Sequence, residues 1–283
     1  MAAVSSAAVL ISLARAEGVP ALAIAALRLA FAALVAGPIA LFRAGTEIRR
    51  LSARDRALSL AAGVFLALHF IFWISSLDST SVMSSVIFVS TSPLFVGLAS
   101  VLLFREKLGR GTMIGIALAV AGGIVVGLVD QGKGGAGSIR GDALALLGAV
   151  SASGYLLIGR ELRKRMSLAA YTGIVYCSAA VILLAVAGAA RTRLGGHPWE
   201  GYLFVALLAA GPQLIGHTSY NWALKHLSAT FVTVTLLAEP VGATLLAMPI
   251  LGQMPAPLGL SGGILILGGI FLAARAEKKG PSG

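Results

Sequence analysis

Leu77-Asp78-Ser79-Thr80-Ser81 and, 147 residues later, Leu224-Lys225-His226-Leu227-Ser228 open two stretches that align without a gap. Pro93, Leu98, Gly115, Leu118 and Gly122 of the first fall on Pro240, Leu245, Gly262, Leu265 and Gly269 of the second. Upstream, Ala3-Val4-Ser5-Ser6-Ala7 meets Ala149-Val150-Ser151-Ala152-Ser153 at an offset of 146. Seven identities in 46 positions weigh little in a chain this rich in Ala, Leu and Gly. The constant offset and the matched prolines and glycines weigh more. Paired repeats in an apolar chain commonly place a site between the two halves.

Composition sets the solvent. Hydrophobic residues make up 58% of the 283 and charged residues 12%, about half the charged share of a soluble domain. So little polar surface cannot cover a fold in water, which leaves the bilayer. The net charge of +11 does not indicate a nucleic-acid partner, because the basic residues cluster between apolar runs. Cys177 is the single cysteine, so no intramolecular disulfide forms and no zinc pattern exists. No cleavable signal peptide is expected.

A spanning helix needs about 20 apolar residues. The apolar runs predict spans at 2–14, 20–42, 57–77, 81–104, 111–129, 142–159, 169–190, 202–224, 229–251 and 257–274. The first reaches only about 20 Å of a roughly 30 Å core, so the numbering is expected to begin inside a longer helix. With the N-terminus in the cytoplasm, 16 Lys and Arg fall in inner segments and 5 in outer ones, an orientation signal. Five spans per repeat then force the second repeat to enter from the opposite side. The fold class is an all-α integral membrane protein of ten transmembrane helices in two inverted five-helix repeats. Residues 1–130 and 141–275 form the repeats, 131–140 a flexible Gly-rich linker, and 276–283 a basic cytoplasmic tail.

Three motifs join the span count: Phe104-Arg105-Glu106-Lys107-Leu108, Gly141-Asp142-Ala143-Leu144-Ala145-Leu146-Leu147-Gly148-Ala149 and Leu237-Ala238-Glu239-Pro240. Together they resemble the EamA type of the drug/metabolite transporter superfamily, and within it the YddG-like amino-acid exporters. The resemblance implies a secondary transporter of the bacterial inner membrane, exporting amino acids (aromatic or other neutral, such as threonine or methionine) or related metabolites. It also implies a central cavity lined by the first, third, fourth, sixth, eighth and ninth spans. Gly252-Gln253 departs from the Gly-Glu pair that the family commonly has there.

Several intramembrane polar residues are candidates to line that cavity. His69, Trp73 and Ser76 share one face of span three; Gln213, His217 and Tyr220 share one of span eight, with Asn221 adjacent. Polar side chains are costly in hydrocarbon and turn toward protein or water. They offer hydrogen bonds and stacking to a zwitterion, or else hold helices together. Glu239, the only acid deep in a span, binds an ammonium, takes up a coupling proton, or braces backbone freed by Pro240. Ser85 shares a face with Ser92, and Thr235 with Glu239; Tyr155 lies one turn from Ser151. Pro93 and Pro240 are the expected hinges. Arg28 is able to meet a carboxylate but is expected to snorkel toward headgroups. Gly111, Gly115, Gly122, Gly123, Gly259, Gly263, Gly268 and Gly269 are expected to let spans five and ten pack closely within a monomer, a dimer contact staying open.

The sequence favours no catalytic residues, metal, cofactor or enzymatic constellation. The partners expected are the lipid bilayer and a small-molecule substrate, with both termini cytoplasmic. Broad efflux of drugs or organic cations, with Glu239 as the cation site, is the rival reading.

Overall fold

The structure, a computed structural model, describes residues 2–104, 110–134, 137–227, 229, 232, 236, 238–252, 254 and 257–278. Among these it is helical throughout, with short turns. The first half comprises α1 (Ala2–Ser5), α2 (Ala7–Ala16), α3 (Ala21–Arg50), α4 (Ala53–Ser76), α5 (Val82–Val89), α6 (Ser92–Phe104) and α7 (Arg110–Gly134). The second comprises α8 (Gly137–Arg163), α9 (Leu168–Ala189), α10 (Trp199–Leu208), a π-helix (Ala209–His217), α11 (Thr218–Ala223), α12 (Ala238–Leu251) and α13 (Pro257–Lys278).

Five stretches are long and apolar enough to cross a membrane: Ala21–Arg50, Ala53–Ser76, Val82–Ala99, Ile139–Arg163 and Leu168–Ala189. Shorter apolar helices occur at Ala3–Ala16, Met113–Gly122 and Pro257–Ala273. Leu41 and Phe42 on α3, Met113 on α7 and Ile264 on α13 face outward and are exposed. An apolar exterior of this kind is stable against hydrocarbon, where only helices with satisfied backbones survive.

Local chemistry explains the ends. Ser52, Ser81 and Ser167 accept the backbone N–H three residues on, capping α4, α5 and α9. Gly18, at φ +76°, closes α2: its N–H reaches Arg15 O and that of Val19 reaches Ala14 O. Polar contacts gather at two ends. At one, Arg165 pairs with Asp55 and with Glu161, each at 2.8 Å. At the other, Arg15 pairs with Asp78 at 2.6 Å.

Proline marks irregular points in spans four, eight and nine, while Pro38 is carried inside the continuous α3. Span four is two helices, α5 and α6, with Pro93 in the first turn of α6. Pro240 likewise lies in the first turn of α12. Proline is tolerated there because the first-turn N–H has no helical partner to lose. At the α5–α6 break, the Thr91 hydroxyl donates to Phe88 O at 2.6 Å and that of Ser92 to Val89 O at 2.8 Å. These bonds satisfy carbonyls that the break strands. Ser153 on α8 donates to Ser92 O at 3.0 Å and holds the break against α8. Span eight is α10, the π-helix and α11, with Pro212 inside the π-helix. Within the stretch expected as linker, 131–134 continue α7 and 137–140 begin α8. Ser228, Thr230, Thr233, Thr235 and Gln253 lie outside the described residues.

Spans five and ten do pack together within the chain. A Cβ on Gly115 would lie 2.3 Å from Gly269 O, and one on Gly122 would lie 2.5 Å from Gly262 O. The offset of 147 turns each contact into the other: Gly115 becomes Gly262, and Gly122 becomes Gly269. Gly263 differs, because its neighbours are Ile87 and Met83 on α5.

Candidate functional site

Where the halves meet, the side chains enclose a cavity of about 50 Å³. From the first half come Arg28, His69, Trp73, Ser90 and Ser92; from the second come Tyr155, His217, Tyr220 and Glu239. Val4 and Ala7 of the first helices and Leu236 complete the wall with other aliphatic side chains.

Rings form one side. His217 sits at the centre, 5.4 Å from Phe70, 5.9 Å from Tyr220 and 6.2 Å from both His69 and Tyr155. Trp73 stacks on His69 at 5.7 Å and 17°. His69 Nδ1–H donates to Gly148 O at 3.0 Å, which fixes a proton on that nitrogen. A Cβ on Gly148 would meet Trp73 at 3.3 Å, so this glycine lets α8 approach α4.

The other sequence candidates support the wall rather than line it. Gln213 is fully buried and accepts from Arg28 Nε at 3.2 Å. Asn221 accepts the Tyr155 hydroxyl at 2.5 Å and donates to Tyr176 Oη at 3.4 Å. Ser76 donates to Trp73 O at 2.6 Å, so in its 2.6 Å contact with Ser85 it is Ser85 that donates. That pair ties α4 to α5, away from the cavity. Gln213 and His217 both belong to the π-helix. Gln213 is held by Arg28, while His217 itself lines the cavity.

Arg28 corrects the sequence reading. It sits seven residues into α3, about 10 Å along the axis, and is completely buried. Its guanidinium lies 4.1 Å from the centroid of the Phe70 ring. Among the described residues Nη1 and Nη2 have no hydrogen-bond partner, nor have Trp73 Nε1 and His217 Nδ1. Among the described residues no carboxylate is within ion-pair distance of Arg28, though Glu239 lines the same cavity.

A larger space of about 460 Å³ lies between α5, α6, α7, α8 and α13. Its wall is aliphatic and phenyl, with Thr91 as the polar exception. Thr91 is already committed to Phe88 O, so nothing there holds a polar solute.

Residues 1–128 and 139–275 each match the EamA-like transporter family. The chain belongs to that family. Its apolar helices and this membership make it a multi-pass membrane protein of a transporter family. A relative from Streptantibioticus cattleyicolor, described as a probable terminal-alkyne amino-acid exporter, is 28% identical over 66% of this chain and 62% of its own length. Uncharacterized transporters from Clostridium kluyveri and Archaeoglobus fulgidus are each 26% identical. The first covers 71% of this chain and 66% of its own, the second 80% of each. The match thus spans just under two thirds of the first two relatives. A solved crystal structure superposes with a TM-score of 0.68 at 22% identity, covering 97% of this chain and 96% of that one. It shares the fold.

Proposed function

We propose that this EamA-family chain is a secondary carrier of the bacterial inner membrane. It exports neutral amino acids, aromatic ones or others such as threonine or methionine, or closely related metabolites, by alternating access. The observation that carries the reading is the cavity between the halves, which holds a buried cation, a carboxylate and a set of rings. Buried charges in a membrane chain are costly and mark a substrate or ion path. The amino-acid exporter among the relatives supports the same class. Alternating access requires the helices around this cavity to part toward each side in turn.

Ten spans in two inverted repeats, 1–130 and 141–275, complete the reading, with a monomer as the working unit and both termini cytoplasmic. The exchange of Gly115–Gly269 with Gly122–Gly262 under the repeat offset supports the inversion. So do the separate family matches on the two halves. Pro93 and Pro240, each beginning a helix after a break, are the hinges.

Counterflow in proteoliposomes tests the function. Preloaded unlabelled phenylalanine, methionine or threonine should accelerate uptake of the labelled amino acid, with saturation. Exchange of organic cations and of no amino acid would instead favour the efflux reading, with Glu239 as cation site. Uptake without saturation or counterflow would mean a pore. Trp73 adds a second test. Trp73→Phe keeps a ring against His69 but removes the unpartnered N–H, so the half-saturation concentration should rise roughly 3–10-fold. Unchanged affinity would reduce Trp73 to packing.

A further inference from the structure

We infer that Arg28 is the carboxylate receptor of this carrier, and that the cavity selects solutes by a free carboxylate group; this rests on the amino-acid reading above. The guanidinium is held on two sides, and Arg28 lines the cavity. Its face stacks on Phe70 at 4.1 Å, and its Nε–H is bound by Gln213 Oε1 at 3.2 Å. Both constraints leave Nη1 and Nη2 free as a two-pronged donor, the shape that matches a carboxylate.

The neighbouring groups agree. Trp73 Nε1 is only ever a donor and has no acceptor. His217 Nδ1 has no partner either, and both residues line the cavity with Arg28. Buried donors left unpaired destabilise by about 1–3 kcal/mol each. A wall with surplus donors is relieved by a ligand rich in acceptors. A carboxylate has no donor of its own and four acceptor positions. An organic cation offers the reverse and would set its charge against Arg28. Glu239 lines the same cavity with the opposite charge, so the field across it orients a zwitterion: carboxylate to Arg28, ammonium to Glu239.

The amino acid that shows counterflow is compared with its own primary amide, which keeps the ammonium and side chain but loses the carboxylate. On the unmodified protein the amide should compete on the order of 100-fold more weakly. Arg28→Gln should weaken the amino acid by a similar factor and leave it no better than its amide. Arg28→Lys should recover part of the difference, because the charge returns without the fork. An amide that competes as well as the amino acid would overturn the inference while leaving the amino-acid carrier intact. A preference that survives Arg28→Gln would do the same. If Arg28→Gln does not fold, the competition on the unmodified protein decides alone. If no amino acid exchanges, the amino-acid reading fails. The carboxylate site is then judged by melting of the purified protein with 3-phenylpropanoate. A stabilising shift upholds the site, and no shift overturns it.

Discussion

Replacing Glu239 with Gln should cut counterflow on the order of 100-fold and leave the protein folded. Glu239 is the acid in the cavity wall. If it holds the substrate ammonium, its loss removes a buried charge partner, a change that costs binding roughly 2–5 kcal/mol. Its effect on the fold is expected to be small. Among the described residues Glu239 makes no ion pair, and a neutral amide is easier to bury than a carboxylate. Transport assay and thermal melting on the same preparation separate the two roles. Lost transport with a melting temperature within a few degrees of the parent supports the site. Full transport with unchanged pH dependence contradicts it. Intact binding after a collapsed melt would make Glu239 a brace for the start of α12.

The second large effect concerns stability. Gly115→Ala should destabilise the protein by about 1–3 kcal/mol, and Gly115→Leu should prevent the native packing of α7 on α13. The added Cβ of Gly115→Ala would meet Gly269 O at 2.3 Å and Ala273 N at 2.7 Å, both backbone atoms. Backbone cannot rotate away as a side chain does, so the two helices must separate along their contact. Gly268 supplies the control. It lies one residue from Gly269, yet a Cβ there meets nothing within 4 Å. Gly268→Ala should therefore be neutral, or stabilise by up to about 1 kcal/mol through helix propensity. Thermal melting in detergent compares the two. Equal melting temperatures for Gly115→Ala and Gly268→Ala would refute the close crossing.

Sequence alone carried the helical class, the bilayer environment and the family, because apolar run length is a one-dimensional signal. It also placed His69, Trp73, Tyr155, His217, Tyr220 and Glu239 in spans that meet at the cavity. It did not reveal which polar residues line the wall and which hold it up. Ser76 and Ser85 look like lining residues by helical spacing, but their bond to one another depends on how α4 meets α5. Gln213 and His217 were assigned to one face by a count of 3.6 residues per turn. Gln213 is nonetheless taken up by Arg28, a contact that spacing along one helix does not show. Arg28 was misread because an Arg near a span boundary usually reaches headgroups. In the structure it is completely buried, with its guanidinium over the Phe70 ring. The unmet Trp73 N–H beside it is a property of three-dimensional packing, with no trace in residue spacing.

The central claim is that solute passes through the cavity between the halves, exposed to each side in turn. Ser90 lines that cavity and is buried, and Cys177 is the single native cysteine. The Cys177→Ser, Ser90→Cys protein therefore reports on the cavity alone. Oriented membrane vesicles of both orientations are treated with a small charged thiol reagent that cannot cross the bilayer. Modification is expected from either side, with protection from both by a saturating amino acid that shows counterflow. Modification from one side only, or modification untouched by substrate, would contradict it.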